Sequence, residues 1–319
     1  MRVAVVRGDG IGKEVIPQAV RVLDHYAPGA EFFETEIGYG KWKRCGTGCD
    51  DSDIEALREA DSILFGAITT PPDPNYKSVM LKIRKDLGLY ANLRPVHGDG
   101  FSIMVVRENS EGLYSGIEEI GAEMSTTLRV VTKKASERIA RCACSILLKD
   151  FRNSTLTIGN KANVMKSDVL FRDTCINVAD EMGIPYRTSY IDALTFDTIQ
   201  NPQRYGVIVT TNIFGDILSD ALGHLVGGLG MLPSANIGDE HSLFEPVHGS
   251  APDIAGKGIA NPVAAIRSAG MLLEHNGIAC RDEIENAIAG TISSGISTPD
   301  LGGTADTVSF TDALINRLR

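Results

Sequence analysis

Val3-Ala4-Val5-Val6-Arg7-Gly8-Asp9-Gly10-Ile11-Gly12-Lys13-Glu14 decides the class of fold. A short β-branched run leads into a glycine-rich turn. Val15, Ile16, Ala19, Val20 and Leu23 then recur at helical spacing, so the chain opens strand, turn, helix. Pro17 falls close enough to the helix start to be tolerated. The turn invites comparison with the GxGxxG fingerprint and fails it, because the glycine due at position 13 is Lys13. A P-loop fails as well: it needs glycine at 7 and Ser or Thr at 14, which are Arg7 and Glu14. A tight turn accounts for most of the motif, and close backbone approach to a ligand stays open.

The alternation continues outward. Asp53 to Ala60 reads as a short amphipathic helix with Asp53 as its N-cap, followed by a strand from Ser62 to Ala67. Pro71, Pro72 and Pro74 make Ile68 to Tyr76 a loop, which feeds a basic segment from Lys77 to Arg94. Ser102 to Arg107, Leu128 to Thr132, Thr155 to Ile158 and Tyr205 to Thr210 read as strands, with helices over Ser136 to Asp150, Asp216 to Leu225 and Pro262 to about Glu274. Gly223, Gly227, Gly228 and Gly230 mark a hinge-like crossing. The pattern predicts an α/β fold with strands at least partly parallel, and no repeat or long linker separates its lobes, so they interleave in sequence.

Composition narrows the function. The chain has 319 residues, with 31 Lys and Arg against 41 Asp and Glu, a net charge of −10. That field repels nucleic-acid phosphates and anionic membrane surfaces. A hydrophobic share of 43% suits a packed core of about two lobes. No apolar run is long enough to span a membrane, and Val3 to Val6 is too short for a signal sequence, which predicts a cytoplasmic protein. Cys45, Cys49, Cys142, Cys144, Cys175 and Cys280 lack the paired spacing of a zinc site and read as reduced thiols.

Three groups could carry chemistry. Asp216 and Asp220 stand i, i+4 on the polar side of a helix, where like charges repel unless a cation sits between them. Such hard oxygen donors suit Mg²⁺ or Mn²⁺; the plain alternative is that Asp216 caps the helix and Asp220 faces water. Arg84, Arg94 and Arg107 either pair with nearby surface acids or converge on a carboxylate substrate. The run from His248 to Gly258 is rich in small residues, as a plain surface loop can be, and as a loop approaching a flat ligand must be.

The turn at Gly8 to Gly12, Asn92-Leu93-Arg94-Pro95, Arg107-Glu108-Asn109-Ser110-Glu111-Gly112-Leu113-Tyr114, Lys161-Ala162-Asn163-Val164, Asn212 to Asp220 and the His248 loop together resemble the β-decarboxylating dehydrogenases. These are the isocitrate, homoisocitrate, 3-isopropylmalate and tartrate/malate dehydrogenases, and the likeness covers nearly the whole chain. It implies a two-lobed isocitrate/isopropylmalate dehydrogenase-like α/β fold, not a Rossmann fold. Residues 1–90 plus 227–319 would form a large, cofactor-side lobe, and 91–226 a small lobe with metal, catalytic and interface residues. An obligate homodimer with shared active sites is implied, or a tetramer built from it.

By that resemblance Arg84, Arg94 and Arg107 clamp the malate carboxylates, and Asn163 joins them. Asp216 and Asp220 bind the metal with Asp192 of a second subunit. Lys161, also lent across the interface, helps take the hydroxyl proton, and Tyr114 protonates the enol carbon. Family members that use NADP carry a Lys-Tyr pair where this chain has Asp253-Ile254, which implies NAD, with His248, Gly249, Ser250, Ala251, Asn261 and Asp300 lining the site. Lys77 and Ser78 could meet a distal carboxylate, whereas Met80 and Leu81 could cover an isopropyl group. The loop is more similar to archaeal homoisocitrate-type enzymes than to bacterial isopropylmalate ones; isocitrate, D-malate and tartrate are the alternatives. Two departures bear on local geometry: Asn160 replaces a usual histidine, and the segment between Arg94 and Arg107 is short. A non-catalytic regulatory subunit is the competing class, against which stand Tyr114, Lys161, Asp192, Asp216 and Asp220.

Overall fold

A computed structural model describes residues 1–73 and 75–318. Pro74, in the expected loop, lies outside the described residues. The chain forms two compact units. The first comprises Met1–Leu87, Gly227–Ala235 and the segment from Asp239 onward, and the second Gly88–Val226 with Asn236–Gly238.

In chain order the first unit begins with β1 (Arg2–Val6), α1 (Gly12–Tyr26), β2 (Glu31–Glu34), α2 (Tyr39–Cys45), α3 (Asp51–Arg58), β3 (Ser62–Phe65) and α4 (Val79–Asp86). The second holds β4 (Ala91–Gly98), β5 (Phe101–Glu108), β6 (Glu118–Ile120), β7 (Ser125–Thr127), α5 (Lys133–Asp150), β8 (Leu156–Asn160), α6 (Ser167–Glu181), β9 (Tyr186–Tyr190), α7 (Ile191–Gln200), β10 (Val207–Thr210) and α8 (Asn212–Gly223). The return brings β11 (Pro233–Ile237), β12 (Ser242–Pro246), α9 (Val263–His275), α10 (Arg281–Ser293) and α11 (Thr307–Ile315). The strands of the first unit run in the order β2-β1-β3-β12-β11, and those of the second β4-β5-β10-β8-β9. β1 is parallel to both β2 and β3, and β10 to both β5 and β8; β4 and β5 form an antiparallel hairpin.

Buried faces follow sequence pattern. β1, β3 and β10 are short apolar runs covered on both sides, as a parallel sheet requires. Val15, Ile16, Ala19, Val22 and Leu23 make the buried stripe of α1. In the second unit α5 contributes Ile139, Ala143 and Leu147, and α6 contributes Phe171, Cys175 and Val178, to a core over β5, β8 and β10.

The glycine turn after β1 is a packing device. A Cβ on Gly10 would lie 1.9 Å from the Ser250 carbonyl oxygen, so only glycine lets the two backbones meet. Two of its amides bond within the unit: Asp9 N–H donates to Ala67 O at 2.7 Å and Ile11 N–H to Ser250 O at 2.9 Å. The Asp9 carboxylate accepts from the amides of Tyr39, Gly40 and Thr69 at 2.7, 2.9 and 3.0 Å, tying α2 and the loop after β3 to the turn.

Several local expectations need correction. Asp50, not Asp53, caps α3; Asp53 sits three residues on and accepts from the Asp50 amide, completing a capping box. Pro17 is tolerated, since α1 runs unbroken through it, but it lies at the sixth residue, past the first turn, where it denies the Lys13 carbonyl its helical donor. Leu128 to Thr132 is a connector: Val130 exchanges single backbone bonds with Gly112, and Thr132 caps α5. α8 begins at Asn212, so Asp216 is not its cap. β4 is an unforeseen strand, because Pro95 argues against one; its hairpin partner β5 follows a two-residue Asp99-Gly100 turn, which is why the segment between Arg94 and Arg107 is short.

The shared acceptor at Asp9 predicts a large effect of its removal. Asp9→Ala should lower the unfolding free energy by roughly 2–4 kcal/mol, read as a fall in the urea midpoint at unchanged slope. A midpoint equal to that of the parent protein would show that the three amides find other acceptors.

Candidate active site

In the second unit, β5 ends on Arg107 and α8 lies against it. A Cβ on Gly215 would come within 2.7 Å of Arg107 Cβ, so glycine permits the helix to approach. Arg107 is 1% exposed; its Nε and Nη2 donate to Asn212 Oδ1 at 3.1 and 2.7 Å, and its Nη1 to Asp216 Oδ1. Arg94, from β4, donates through Nε to Asn92 Oδ1 at 2.7 Å. Its Nη1 donates to Ser219 Oγ and Asp220 Oδ1, both at 2.8 Å, and its Nη2 lies 3.0 Å from Asp216 Oδ1. Arg94 is therefore the cation between the two like charges of α8, and it offsets their repulsion.

Tyr114 donates to the other Asp216 oxygen at 3.1 Å, and its ring lies 5.5 Å from the Arg107 guanidinium. Burial, together with the neighbouring Asp216, raises the Asp220 pKa despite Arg94. The residues between Arg107 and Tyr114 are structural. Glu108 folds back onto the amides of Ser110 and Glu111, Asn109 bonds Asn236 at 2.9 Å, and Glu111 accepts from the Thr132 amide and hydroxyl.

Lys161 and Asp192 form a separate pair in the same unit. Lys161 Nζ lies 2.6 Å from Asp192 Oδ1, and this hydrogen bond, with the amides at the start of α7, lowers the Asp192 pKa. Asn160 is integrated rather than disruptive: its amide nitrogen donates to Ile158 O at 3.1 Å and its oxygen accepts from Ala162 N–H at 3.1 Å. Asn163 is exposed on the following turn. Among the described residues no three His, Cys, Asp or Glu side chains are grouped to hold a metal.

The remaining candidates belong to the first unit. Arg84 on α4 lies 3.5 Å from Glu245 on β12. Ser78 caps α4, accepting from the Leu81 amide at 3.4 Å, and it lines with Lys77 and Trp42 a hollow of about 240 Å³. A groove of about 410 Å³ is lined by Ile11, His248, Ile254, Ile259, Asn261 and Asp300. Asn261 donates to Asp300 at 2.9 Å and accepts from the Val263 N–H at the start of α9 at 3.0 Å, while Glu14 holds the loop by accepting from the amides of Gly256 and Gly258. Ser250 Oγ accepts from Thr69 Oγ1 at 2.7 Å, Gly249 and Asp253 are exposed, and Ala251 has a positive φ of 40°. His248 Nδ1 faces Gly249 O at 3.0 Å and must donate, since a carbonyl only accepts. Its Nε2 is buried with no hydrogen-bond partner among the described residues, and burial lowers the ring's pKa.

Comparison with known proteins gives these sites a family. A family model described as isocitrate/isopropylmalate dehydrogenase matches residues 2–316. The chain belongs to the isocitrate/isopropylmalate dehydrogenase family. It is 43% identical over 320 residues to an isocitrate/homoisocitrate dehydrogenase of Pyrococcus horikoshii, covering 99% of this chain and 92% of that one. It is also 43% identical over 334 residues to a 3-isopropylmalate/3-methylmalate dehydrogenase of Methanocaldococcus jannaschii, covering 100% and 99%. Among solved structures, a β-decarboxylating dehydrogenase of Thermococcus kodakarensis in its apo form matches with a TM-score of 0.89 and 46% identity, covering 99% and 95%. Within this family of decarboxylating dehydrogenases, equal identity to relatives with different substrates leaves overall similarity no power to choose between them. No helix among the described residues is long and apolar enough to cross a membrane.

The support network of the Arg94–Arg107–Asp216 cluster was only partly visible in sequence. Asn92 and Asn212 fall inside quoted motifs, whereas Asn236, which bonds both Asn92 and Asn109, carries no motif signal.

A pH experiment follows from the Lys161–Asp192 pair. Because the folded pKa of Asp192 is depressed, the pair holds above the ordinary carboxylate range and is lost as pH falls through the depressed value. Lys161→Met should move Asp192 back up toward an ordinary carboxylate, followed by carboxyl NMR titration; no upward movement would contradict the pairing.

Proposed function

We propose that this protein is a divalent-metal- and NAD⁺-dependent dehydrogenase that oxidises and decarboxylates a 3-substituted malate, homoisocitrate or 3-isopropylmalate, as a homodimer. The observation that carries this reading is the meeting of Arg94 and Arg107 with Asp216 and Asp220 beside Tyr114. Two guanidiniums and two carboxylates sum to zero charge. A divalent cation and a malate dianion can therefore enter together, the cation on the aspartates and the dianion on the arginines, without leaving a buried charge unmatched.

Asp216 and Asp220 fit Mg²⁺ or Mn²⁺ as hard oxygen donors that remain partly accessible, with side chains 28% and 45% exposed. Asp192 is 67% exposed and would complete the set in the partner's site, carrying Lys161 with it. Exposed apolar side chains on this unit, among them Phe196, Ile217, Val164 and Leu170, and Ile120 and Met124 of the β6–β7 hairpin, support a covering second copy. In the first unit, the unmatched His248 Nε2, the apolar walls Ile11 and Ile254 and the Asn261–Asp300 pair fit a dinucleotide. Asp253 would repel a 2′-phosphate, which favours NAD⁺ over NADP⁺.

When bound, the metal supplies a Lewis acid for the substrate's hydroxyl and carbonyl oxygens, and NAD⁺ supplies the hydride acceptor. Arg94 and Arg107, with Arg84, hold the carboxylates and so orient the C–H and C–C bonds that break. Lys161 takes the hydroxyl proton as hydride leaves, and Tyr114 delivers a proton to the carbon from which CO₂ has departed. Lys77 and Ser78 would meet the distal carboxylate of homoisocitrate, and Met80 and Leu81 the isopropyl group of the alternative substrate.

With Mg²⁺ and NAD⁺ the purified protein should reduce the cofactor with homoisocitrate, 3-isopropylmalate or isocitrate, and the three kcat/KM values rank the substrates. Folded protein inert toward all of them would sink the enzyme reading and favour a ligand-binding regulatory subunit. NADP⁺ should support a kcat/KM at least about tenfold lower than NAD⁺. Lys161→Ala and Tyr114→Phe should each cut kcat by roughly 10²-fold or more with NAD⁺ binding largely retained; lost cofactor binding would show that their roles are misassigned.

A further inference from the structure

Asp168 on α6 is completely buried, and no step of the chemistry above uses it. Its Oδ2 accepts from the Lys161 backbone N–H at 2.6 Å, and its Oδ1 lies 2.5 Å from Arg129 Nη2. The Arg129 side chain is 11% exposed, donates to Ser167 Oγ at 2.7 Å and to Thr211 Oγ1 at 3.1 Å, and lies 5.5 Å from the Phe214 ring centroid. Thr211 is the N-cap residue of α8 and Phe214 belongs to its first turn. One buried ion pair thus joins the backbone at Lys161 to the start of the helix that bears Asp216 and Asp220.

We propose that Asp168 and Arg129 are positioning residues that set where the Lys161 side chain begins. This rests on the reading of Lys161 as the group that takes the hydroxyl proton. A lysine has a long, flexible stem, so its ammonium is placed well only if both ends are held. Asp192 holds Nζ, and Asp168 holds the main chain. Asn160 holds the next amide, at Ala162, so two consecutive N–H groups leaving β8 are each fixed by a side chain. A buried ion pair often adds little stability over an apolar pair of similar volume, whereas it does impose a geometry. The Asp168 carboxylate meets the Lys161 N–H with one oxygen and Arg129 with the other, so the turn is tied to the ion pair.

The test uses the purified full chain with Arg129→Lys and with the double variant Asp168→Asn/Arg129→Met, the latter removing both charges so that neither is stranded. Two measurements are made: steady-state kinetics with the substrate the parent protein turns over, and amide hydrogen exchange of peptides covering residues 160–165 and, for reference, α9. Arg129→Lys and the double variant should lose roughly tenfold to a hundredfold in kcat, with KM for substrate and NAD⁺ within about threefold. Exchange at 160–165 should speed up while α9 stays unchanged. A kcat within about twofold of the parent in both variants overturns the proposal. So does exchange that is unaltered at 160–165, or accelerated equally in α9, since the latter marks a general loss of stability. If the parent protein turns over no malate-type substrate, the functional reading fails by itself, and the exchange data still decide whether this pair holds the Lys161 turn.

Discussion

The second unit is organised around the buried guanidinium of Arg107. A charge that is 1% exposed must be answered by its surroundings, and Asn212 and Asp216 of α8 answer it. That demand presses α8 onto the end of β5, and Gly215 removes the side chain that would otherwise hold them apart. Once α8 is seated there, Asp220 lies one turn further along, Arg94 reaches both carboxylates, and Tyr114 meets Asp216 from the other side. The electrostatics of the candidate site and the packing of the helix are one constraint.

The first unit meets its central constraint with a carboxylate instead. Asp9 gathers three amides from two segments, and the glycines around it allow the Ser250 backbone to close over the turn. The loop that carries His248 and Ile254 is therefore anchored at Ser250 on one side and by Glu14 at Gly256 and Gly258 on the other. A turn that failed as a phosphate-binding fingerprint serves as the footing for the loop proposed to bind the dinucleotide. The amides of Asp9, Ile11 and Gly12 in it are given to protein carbonyls, at Ala67, Ser250 and Asp9.

Much of this was legible locally. The strand, turn and helix at the N-terminus, the apolar stripe of α1, the α5 helix and the shared polar face of Asp216 and Asp220 follow from periodicity, because each depends on neighbours within a turn or two. The errors arose where local signals compete. Asp50 and Asp53 are both good caps, and only the fold shows that each bonds the other's backbone. Pro95 argues against a strand, yet β4 runs through it as one arm of a hairpin. The β-branched residues of Leu128 to Thr132 read as a strand, but the stretch makes an isolated bridge, Val130 with Gly112, and no ladder.

By itself the sequence determined the α/β class, the family-like order of its motifs and the absence of a GxGxxG turn, since each is written in short-range spacing. Tertiary structure decided which charges meet. Arg94 and Asp220 are 126 residues apart, Arg107 and Asp216 109 apart, and Asn92 and Asn236 144 apart. No periodicity extends over such distances. Whether an arginine neutralises a surface acid or stands between two carboxylates is settled only when strands and helices have packed, because a buried charge takes whatever partner the packing brings within reach.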